Sequence, residues 1–350
     1  MTNVFNWNLE EFKEKVISLG EKPFRAAQVW QWLYEKRVNR WADMTDLSAS
    51  LRSAWEKLFT LGSLSLQKIQ ESCDGETTKF LWKLSDGKLV ESVLIRAPDR
   101  CTVCVSSQVG CPARCAFCAS GKNGWIRNLE AGEILEQVYH TDNWVKSKEG
   151  KRVSNVVFMG MGEPLENYDN VVKALRLISD PDGLNISQRR LTVSTVGVIQ
   201  GIRKFTEEGL KASLVLSLHA PNQRLRQKII PYARKNSLEE ILEAMRAFAS
   251  ATKRDITYEY TLLQGINDQP EHADELARLL RSDPCTVNLI PYNPVEGLHL
   301  SRPSGESIEQ FRAILEKGGI NTTWRYTKGK DIAAACGQLA LQEQLIMVAN

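Results

Sequence analysis

The sequence predicts an α/β protein in which a series of β/α units builds a parallel sheet, open or rolled into a partial barrel. A small helical unit and a β-hairpin precede it. Two observations carry this. After residue 101, six short β-branched runs alternate with amphipathic stretches, the pattern of parallel strands joined by helices. Before residue 60, apolar residues recur at helical spacing instead.

In region 1–60, Leu9, Phe12, Val16 and Leu19 mark one helix. Phe24, Ala27, Trp30, Leu33 and Tyr34 mark a second, which Pro23 is suited to start because its fixed φ matches a first helical turn. Lys36, Arg37 and Arg40 form a basic cluster at its end. In region 61–100, runs at 78–84 and 89–95 flank Ser85-Asp86-Gly87-Lys88, a hairpin signature. Region 101–325 holds the β/α series, with strands expected at 101–106, 154–159, 190–196, 212–218, 256–263 and 285–290. Helices are expected near 129–146, 168–179, 198–208, 237–250, 271–281 and 306–317, with Ser237 and Glu240 at capping-box spacing. Region 326–350 carries Cys336. Such a series places its active site at the carboxyl ends of the strands.

Composition is that of a globular chain: 350 residues, 43% hydrophobic and 25% charged. No apolar run approaches a membrane span, and Glu10, Glu11 and Glu14 do not fit a signal peptide, so a cytoplasmic protein is expected. The net charge of +3 excludes a polybasic chain but hides a gradient. Residues 185–235 hold Arg189, Arg190, Arg203, Lys204, Lys211, Arg224, Arg226, Lys228, Arg234 and Lys235 against Glu207 and Glu208, a local +8. Arg100, Arg114, Lys122 and Arg127 add a basic rim. Such patches suit a phosphate backbone, although a charge run is also an ordinary solvated face.

Five of the eight cysteines, Cys101, Cys104, Cys111, Cys115 and Cys118, fall within 18 residues, while Cys73, Cys285 and Cys336 stand apart. Cys111, Cys115 and Cys118 form a CxxxCxxC triplet after the first strand of the series. Three thiolates so spaced can hold three irons of a 4Fe-4S cube and leave the fourth open to a ligand. The rival reading pairs Cys101/Cys104 with Cys115/Cys118 as a zinc ribbon in a non-catalytic RNA-binding protein, and leaves Cys111 over. After the second strand, Gly162 and Glu163 form either a strand-ending turn or a ligand loop. The glycine would let the backbone approach, and the carboxylate would accept hydrogen bonds from an ammonium.

The triplet, with Phe117 before its last cysteine, resembles the radical S-adenosylmethionine superfamily. Cys104-Val-Ser-Ser-Gln-Val-Gly-Cys111 is similar to the RlmN family, which methylates carbon 2 of adenine in RNA. Pro23-Phe-Arg-Ala-Ala-Gln, Met159-Gly-Met-Gly-Glu-Pro164, Ser217-Leu-His-Ala-Pro221, Asn288-Leu-Ile-Pro-Tyr-Asn-Pro294 and Asp331-Ile-Ala-Ala-Ala-Cys-Gly-Gln-Leu339 match as well, so the resemblance spans residues 23–339.

The resemblance implies a radical S-adenosylmethionine partial (β/α)6 barrel behind an RNA-docking helical unit. Cys111, Cys115 and Cys118 would ligate one 4Fe-4S cluster. Gly162, Glu163, Ser194, Ser217, Leu218, His219 and Asn293 would bind S-adenosylmethionine, two molecules of which are used per turnover. Cys336 would be methylated, and that methyl group would be activated and added to the adenine. Glu91 would accept the carbon-2 proton, and Cys104 would release the product by forming a transient disulfide with Cys336. The implied partners are large-subunit ribosomal RNA, transfer RNA, an electron donor and a disulfide reductant. The sister activity on carbon 8 of the same base, which confers antibiotic resistance, shares the cluster and both cysteines; the stretch Val90-Glu91-Ser92-Val93 favours carbon 2. Two positions depart from the family pattern: Cys101, where a non-thiol is usual, and Lys328, where an arginine is.

Overall fold

The computed structural model describes residues 1–122, 124–324 and 328–339. Its centre is a ten-stranded sheet: β1 Ser65–Glu71, β2 Thr77–Lys83, β3 Leu89–Ala97, β4 Arg100–Cys104, β5 Asn155–Phe158, β6 Leu191–Thr195, β7 Ser213–Ser217, β8 Ile256–Leu262, β9 Cys285–Pro291 and β10 Asn321–Trp324. The spatial order is the chain order. From β1 to β4 the neighbours are antiparallel, and from β4 to β10 they are parallel. Neither β1 nor β10 pairs with the other, so the sheet stays open.

All six expected β/α units are present, with helices at Ala131–Glu149, Tyr168–Ser179, Ile199–Glu207, Leu238–Thr252, Pro270–Leu280 and Gly305–Lys317. The parallel strands read as apolar runs because helices cover them; Leu214, Val215 and Leu216 of β7, for example, are all buried. The Ser237 hydroxyl accepts from the Glu240 N–H (3.2 Å), and the Glu240 carboxylate returns a bond to the Ser237 N–H (3.2 Å), the expected capping box. Two strands lie outside the expectation. β10 is a seventh parallel strand, whose four residues, Asn-Thr-Thr-Trp, carry no apolar run. β1, largely exposed, extends the hairpin of β2 and β3 to three strands. That hairpin belongs to the main sheet, since β3 pairs along β4 with Val93 opposite Cys104.

The N-terminal unit has the two expected helices, Leu9–Ser18 and Phe24–Trp30, and a third at Ala49–Glu56. They close on an aromatic core in which Phe12 meets Trp30 at 5.3 Å and Phe59 at 5.5 Å, while Trp41 meets Trp55 at 5.9 Å. The unit docks on helix Ala131–Glu149 through buried polar groups. The Glu136 carboxylate accepts from the Asn3 amide (2.5 Å), the Ser63 hydroxyl (2.8 Å) and the Leu64 N–H (2.9 Å). Arg37 Nη2 lies 3.0 Å from the buried Asp142 carboxylate. Arg37 is therefore a bolt between the two units rather than part of a basic docking surface. Its neighbours are also engaged: Arg40 pairs with Asp43 at 2.7 Å, and Lys36 sits 3.4 Å over the Trp32 ring. No helix among the described residues is long and apolar enough to cross a membrane.

Burial pushes the Glu136 carboxyl upward, but the nearby His140 and the Leu64 and Ser63 N–H groups hold it below its ordinary range. A lowered folded pKa stabilises above the ordinary carboxylate range and is lost as pH falls through the folded value. Glu136→Ala should therefore cost about 3 kcal/mol of stability at neutral pH by denaturant unfolding. The difference from the parent should shrink in acid.

Candidate active site at the carboxyl ends of the strands

After β4 the chain rises to a short ribbon in which Gln108–Gly110 pairs with Trp125–Asn128. This ribbon closes a loop over 111–124. Glycine is required at its neck: a Cβ on Gly110, at φ +75°, would lie 1.9 Å from the Gly124 carbonyl oxygen. The Cys111 N–H bonds that oxygen at 3.0 Å, the Ala116 N–H reaches Ile229 O at 2.8 Å, and the Ala119 N–H reaches Gly337 O at 2.8 Å. The loop thereby wraps Cys111, Cys115 and Cys118 around a cavity of about 120 Å³, which Gly162, Glu163, Ser194, Ser217, His219, Asn293 and Cys336 also line.

Cys111 is buried, and Cys115 and Cys118 are partly buried. Burial pushes Cys111 up to about 12, and it raises Cys115 and Cys118 as well; mutual repulsion adds to the rise at Cys115. Such thiols become thiolates only when a metal centre supplies positive charge, which is the donor set an iron–sulfur cluster needs. No three His, Cys, Asp or Glu side chains among the described residues converge as ligands of a single ion. The zinc ribbon also fails on strand geometry. Cys101 and Cys104 stand three apart on β4 and so face opposite ways: Cys101 is buried in the core, while Cys104 faces a second cavity with Thr102 and Arg100.

At the end of β5, Gly162 has φ +116°, and a Cβ there would come within 2.6 Å of the Ser107 hydroxyl and 2.8 Å of the Gln108 nitrogen. The Glu163 carboxylate is less free than the sequence implied. It accepts from the Thr195 hydroxyl (2.7 Å), the Val196 N–H (2.8 Å) and the Leu165 N–H (3.1 Å), binding the end of β5 to that of β6. Burial raises it to about 7 against those bonds. The Ser194 and Ser217 hydroxyls lie 3.0 Å apart at the ends of β6 and β7. Leu218 departs from the expectation: its side chain is in the core, and only its main chain is at the site.

His219, held at φ +56°, accepts from the Thr261 N–H on Nδ1 at 2.9 Å. Burial, then the nearby Arg226 charge, lowers it to about 3, so the ring is neutral and Nε2 is its donor. The Asn293 amide donates to Cys336 O at 3.2 Å, while its buried Oδ1 has no partner among the described residues. That oxygen is an acceptor awaiting a donor.

The second cavity, about 550 Å³, shares Cys118, Asn293, Cys336 and Gly337 with the first. Cys336 thus stands where the two meet, and Cys104 lies on the larger wall. Val93, Ile95 and Ala97 of β3 line that wall. Glu91 belongs to the same strand face, one step behind Val93, and is buried with Oε1 3.2 Å from Lys79 Nζ. The Lys79 ammonium also donates to Ala333 O, three residues before Cys336, at 3.3 Å.

A model of the radical SAM superfamily matches residues 105–279, and one described as the ribosomal RNA large subunit methyltransferase N-terminal domain matches residues 2–61. A Protochlamydia amoebophila protein named probable dual-specificity RNA methyltransferase RlmN 2 is 61% identical over 325 residues, covering 93% of this chain and 90% of that one. A Thermotoga maritima protein with the corresponding RlmN name is 44% identical over 343 residues, 98% of each chain. The crystal structure of a radical SAM methyltransferase from Sphaerobacter thermophilus superposes with a TM-score of 0.94 at 40% identity, over 97% of this chain and 99% of that one. The chain belongs to the RlmN family. Radical SAM membership brings a 4Fe-4S cluster and S-adenosylmethionine, and the residues around the smaller cavity fit both.

This RlmN-family site contains one residue that the sequence reading misassigned. Arg226 counted there among the surface cations, yet it is fully buried. Its guanidinium donates to Leu218 O (3.1 Å), Val196 O (2.6 Å) and Ser217 O (3.1 Å), gathering the ends of β6 and β7. Its Nη1 has no partner among the described residues. Spacing could have found it, since Arg226 lies three and four residues before the buried Ile229 and Ile230. Lys328, at the other departure, spends its ammonium on Arg96 O (2.8 Å) and Glu76 (3.0 Å). Arg226→Met leaves three buried carbonyls unpaired, so it should cost roughly 2–4 kcal/mol in chemical unfolding and reduce iron retained after anaerobic reconstitution.

Proposed function

We propose that the chain is a radical S-adenosylmethionine methyltransferase that adds a methyl group to carbon 2 of adenosine in large-subunit ribosomal RNA and transfer RNA. The meeting of a cysteine-lined small cavity with a larger one at Cys336, with Cys104 on the larger wall, carries the reading. The cluster, when bound through Cys111, Cys115 and Cys118, supplies a carbon-centred radical by reductive cleavage of S-adenosylmethionine. Everything else falls to the chain's own residues.

Gly162 gives the cofactor close access to the main chain; Ser194, Ser217, His219 and Asn293 supply its polar contacts, with Leu218 contributing through its backbone. Cys336 receives a methyl group from one S-adenosylmethionine and presents it at the cavity junction, where a second is used to activate it. Adenine carbon 2 is electron-poor, which explains why a protein-borne carbon must be added to it in place of direct transfer. Glu91 would take the carbon-2 proton, with Lys79 alongside to stabilise its charge, and the unpaired electron left on the adduct would return to the cluster, so that a closed-shell thioether joins Cys336 to the base. The Cys104 thiolate then attacks the Cys336 sulfur. The S–S bond forms as the S–C bond breaks, and the carbon keeps the electron pair and takes up a proton to become the methyl group. The disulfide needs two electrons and two protons from a thiol reductant, which fits a reducing cytoplasm.

The larger cavity suits an unpaired adenosine turned out of its stack. Arg100 and Arg190 line it, and the 1–60 unit would dock the RNA body. Nine of the ten basic residues of 185–235 remain exposed once Arg226 is removed from that patch. The experiment is mass spectrometry of RNA from cells with and without the chain: 2-methyladenosine is expected, and 8-methyladenosine would assign the sister activity.

Two variants test the cysteine roles. Cys104→Ala should co-purify with covalently attached RNA, released only by nuclease and protein digestion; RNA-free protein would remove the resolving role. Cys336→Ala should keep its iron and lose methylation entirely, and residual product would remove the carrier role.

A further inference from the structure

The ribbon that closes the cluster loop carries an exposed apolar pair: Trp125 is 52% and Ile126 41% exposed. The indole is nevertheless fixed. Its N–H donates to Asn128 Oδ1 (3.1 Å), the same oxygen accepts from Gln108 Nε2 (2.7 Å), and Gln108 Oε1 accepts from the Glu163 N–H (2.8 Å). Asn128 Nδ2 reaches Glu166 O at 3.4 Å. A solvent-facing ring is thus tied by a hydrogen-bonded chain to the Gly162–Glu163 loop. Through Gly124, its neighbour in sequence, it is also tied to Cys111.

With its N–H engaged inside the protein, the indole offers only its π face and edge carbons to a partner. One cation lies beside its neighbour in sequence. Exposed Arg114, held at φ +53°, lays its guanidinium against Gly124, with Nη2 3.3 Å from where a Cβ would stand. No ion pair engages it among the described residues. Exposed Lys122, on the same loop, turns its Nζ toward Gly297 instead. Arg127 is neutralised by Asp86 (2.7 Å) and Glu133 (2.8 Å). An aromatic face with a cation beside it complements a nucleobase and its phosphate. Ser120 lines the larger cavity, and the five residues from it to Trp125 span at most about 17 Å.

We propose that Trp125 and Ile126, with Arg114, form a stacking platform for an unpaired RNA nucleotide flanking the target adenosine. This rests on the RNA-methylating function above. The platform couples recognition to chemistry: a base stacked on Trp125 is registered against the cofactor loop through Asn128 and Gln108. The RNA body is held elsewhere.

The test compares parent, Trp125→Ala and Trp125→Phe holoenzymes for binding of a fluorescent stem-loop RNA with an unpaired adenosine, with iron content and S-adenosylmethionine binding measured on the same preparations. Trp125→Ala should bind RNA roughly 5- to 150-fold more weakly with iron and cofactor binding unchanged, and Trp125→Phe should restore most of the affinity. Unchanged RNA affinity in Trp125→Ala overturns the platform, and so does loss of iron, which would make Trp125 a support of the cluster loop. A parent enzyme that binds this RNA but methylates none would count against the proposed function and not against the platform.

Discussion

Everything at the carboxyl ends of the strands is organised around ionisable groups drawn largely out of water. Three thiols, one carboxyl, one imidazole and one guanidinium share a small region, and each is driven by burial toward its neutral form. Their burial makes the site selective. Thiols raised this far bind protons in preference to carrying isolated charge, so a cluster that supplies cationic irons is the partner that lets them ionise together. Among the described residues Arg226 is the one buried cation near them. Its bonds to three carbonyls fix it in place, and its charge counts against the summed negative charge of thiolates and Glu163. Glu163 is held from the same side, since two of its three donors, Thr195 and Val196, come from the end of β6.

The sheet delivers these groups to one place because its strands follow one another in space as they do in sequence. Each β/α unit then ends beside the next, and every loop after a parallel strand can add one residue: the triplet after β4, Gly162 after β5, Ser194 near the end of β6, His219 after β7, Asn293 after β9. Helix Ala131–Glu149 joins this region to the N-terminal unit. Its first turn holds Arg127 through Glu133, and its middle holds Asn3 and Ser63 through Glu136. Disturbance of the docking unit therefore has a polar route to the ribbon under the cluster loop.

The parallel strands were legible because they are largely buried and so are rich in β-branched and apolar residues; β10 was not, since its Asn-Thr-Thr-Trp is pinned by pairing to β9 and not by its own hydrophobicity. The cysteine triplet was legible from its spacing, whereas Gly162 was open between a turn and a ligand loop until the family resemblance was taken into account; its φ of +116° and the closeness of Ser107 show why a glycine stands there. Arg226 and Arg37 were misread for a common reason. Sequence counts charges without knowing where the chain folds back, and both cations are consumed by partners far away in sequence, Val196 O and Asp142. Glu163 lines the smaller cavity, but its main hydrogen-bonding task, tying β5 to β6, depends on Thr195 and Val196 and has no local signature. Cys104 and Cys336 are 232 residues apart, and the fold brings both to the wall of one cavity.

Cys336 itself is exposed, in a segment whose Ala334 and Leu339 are buried in the core. What positions it is a set of hydrogen bonds to the site: Asn293 to Cys336 O, Ala119 N–H to Gly337 O, the Ser120 hydroxyl to Leu339 O (2.6 Å) and Gln338 to Pro294 O (2.8 Å). Two of these come from the helical turn immediately after Cys118. The segment's position therefore depends on the loop that carries the triplet. Apolar anchors on either side of Cys336, Ala334 and Leu339, hold the segment in the core, while the thiol between them stands exposed where the two cavities meet. Hydrogen bonds to main-chain carbonyls are each worth only about 1 kcal/mol, so the apolar anchors fix the segment and the polar contacts set where Cys336 lies within it.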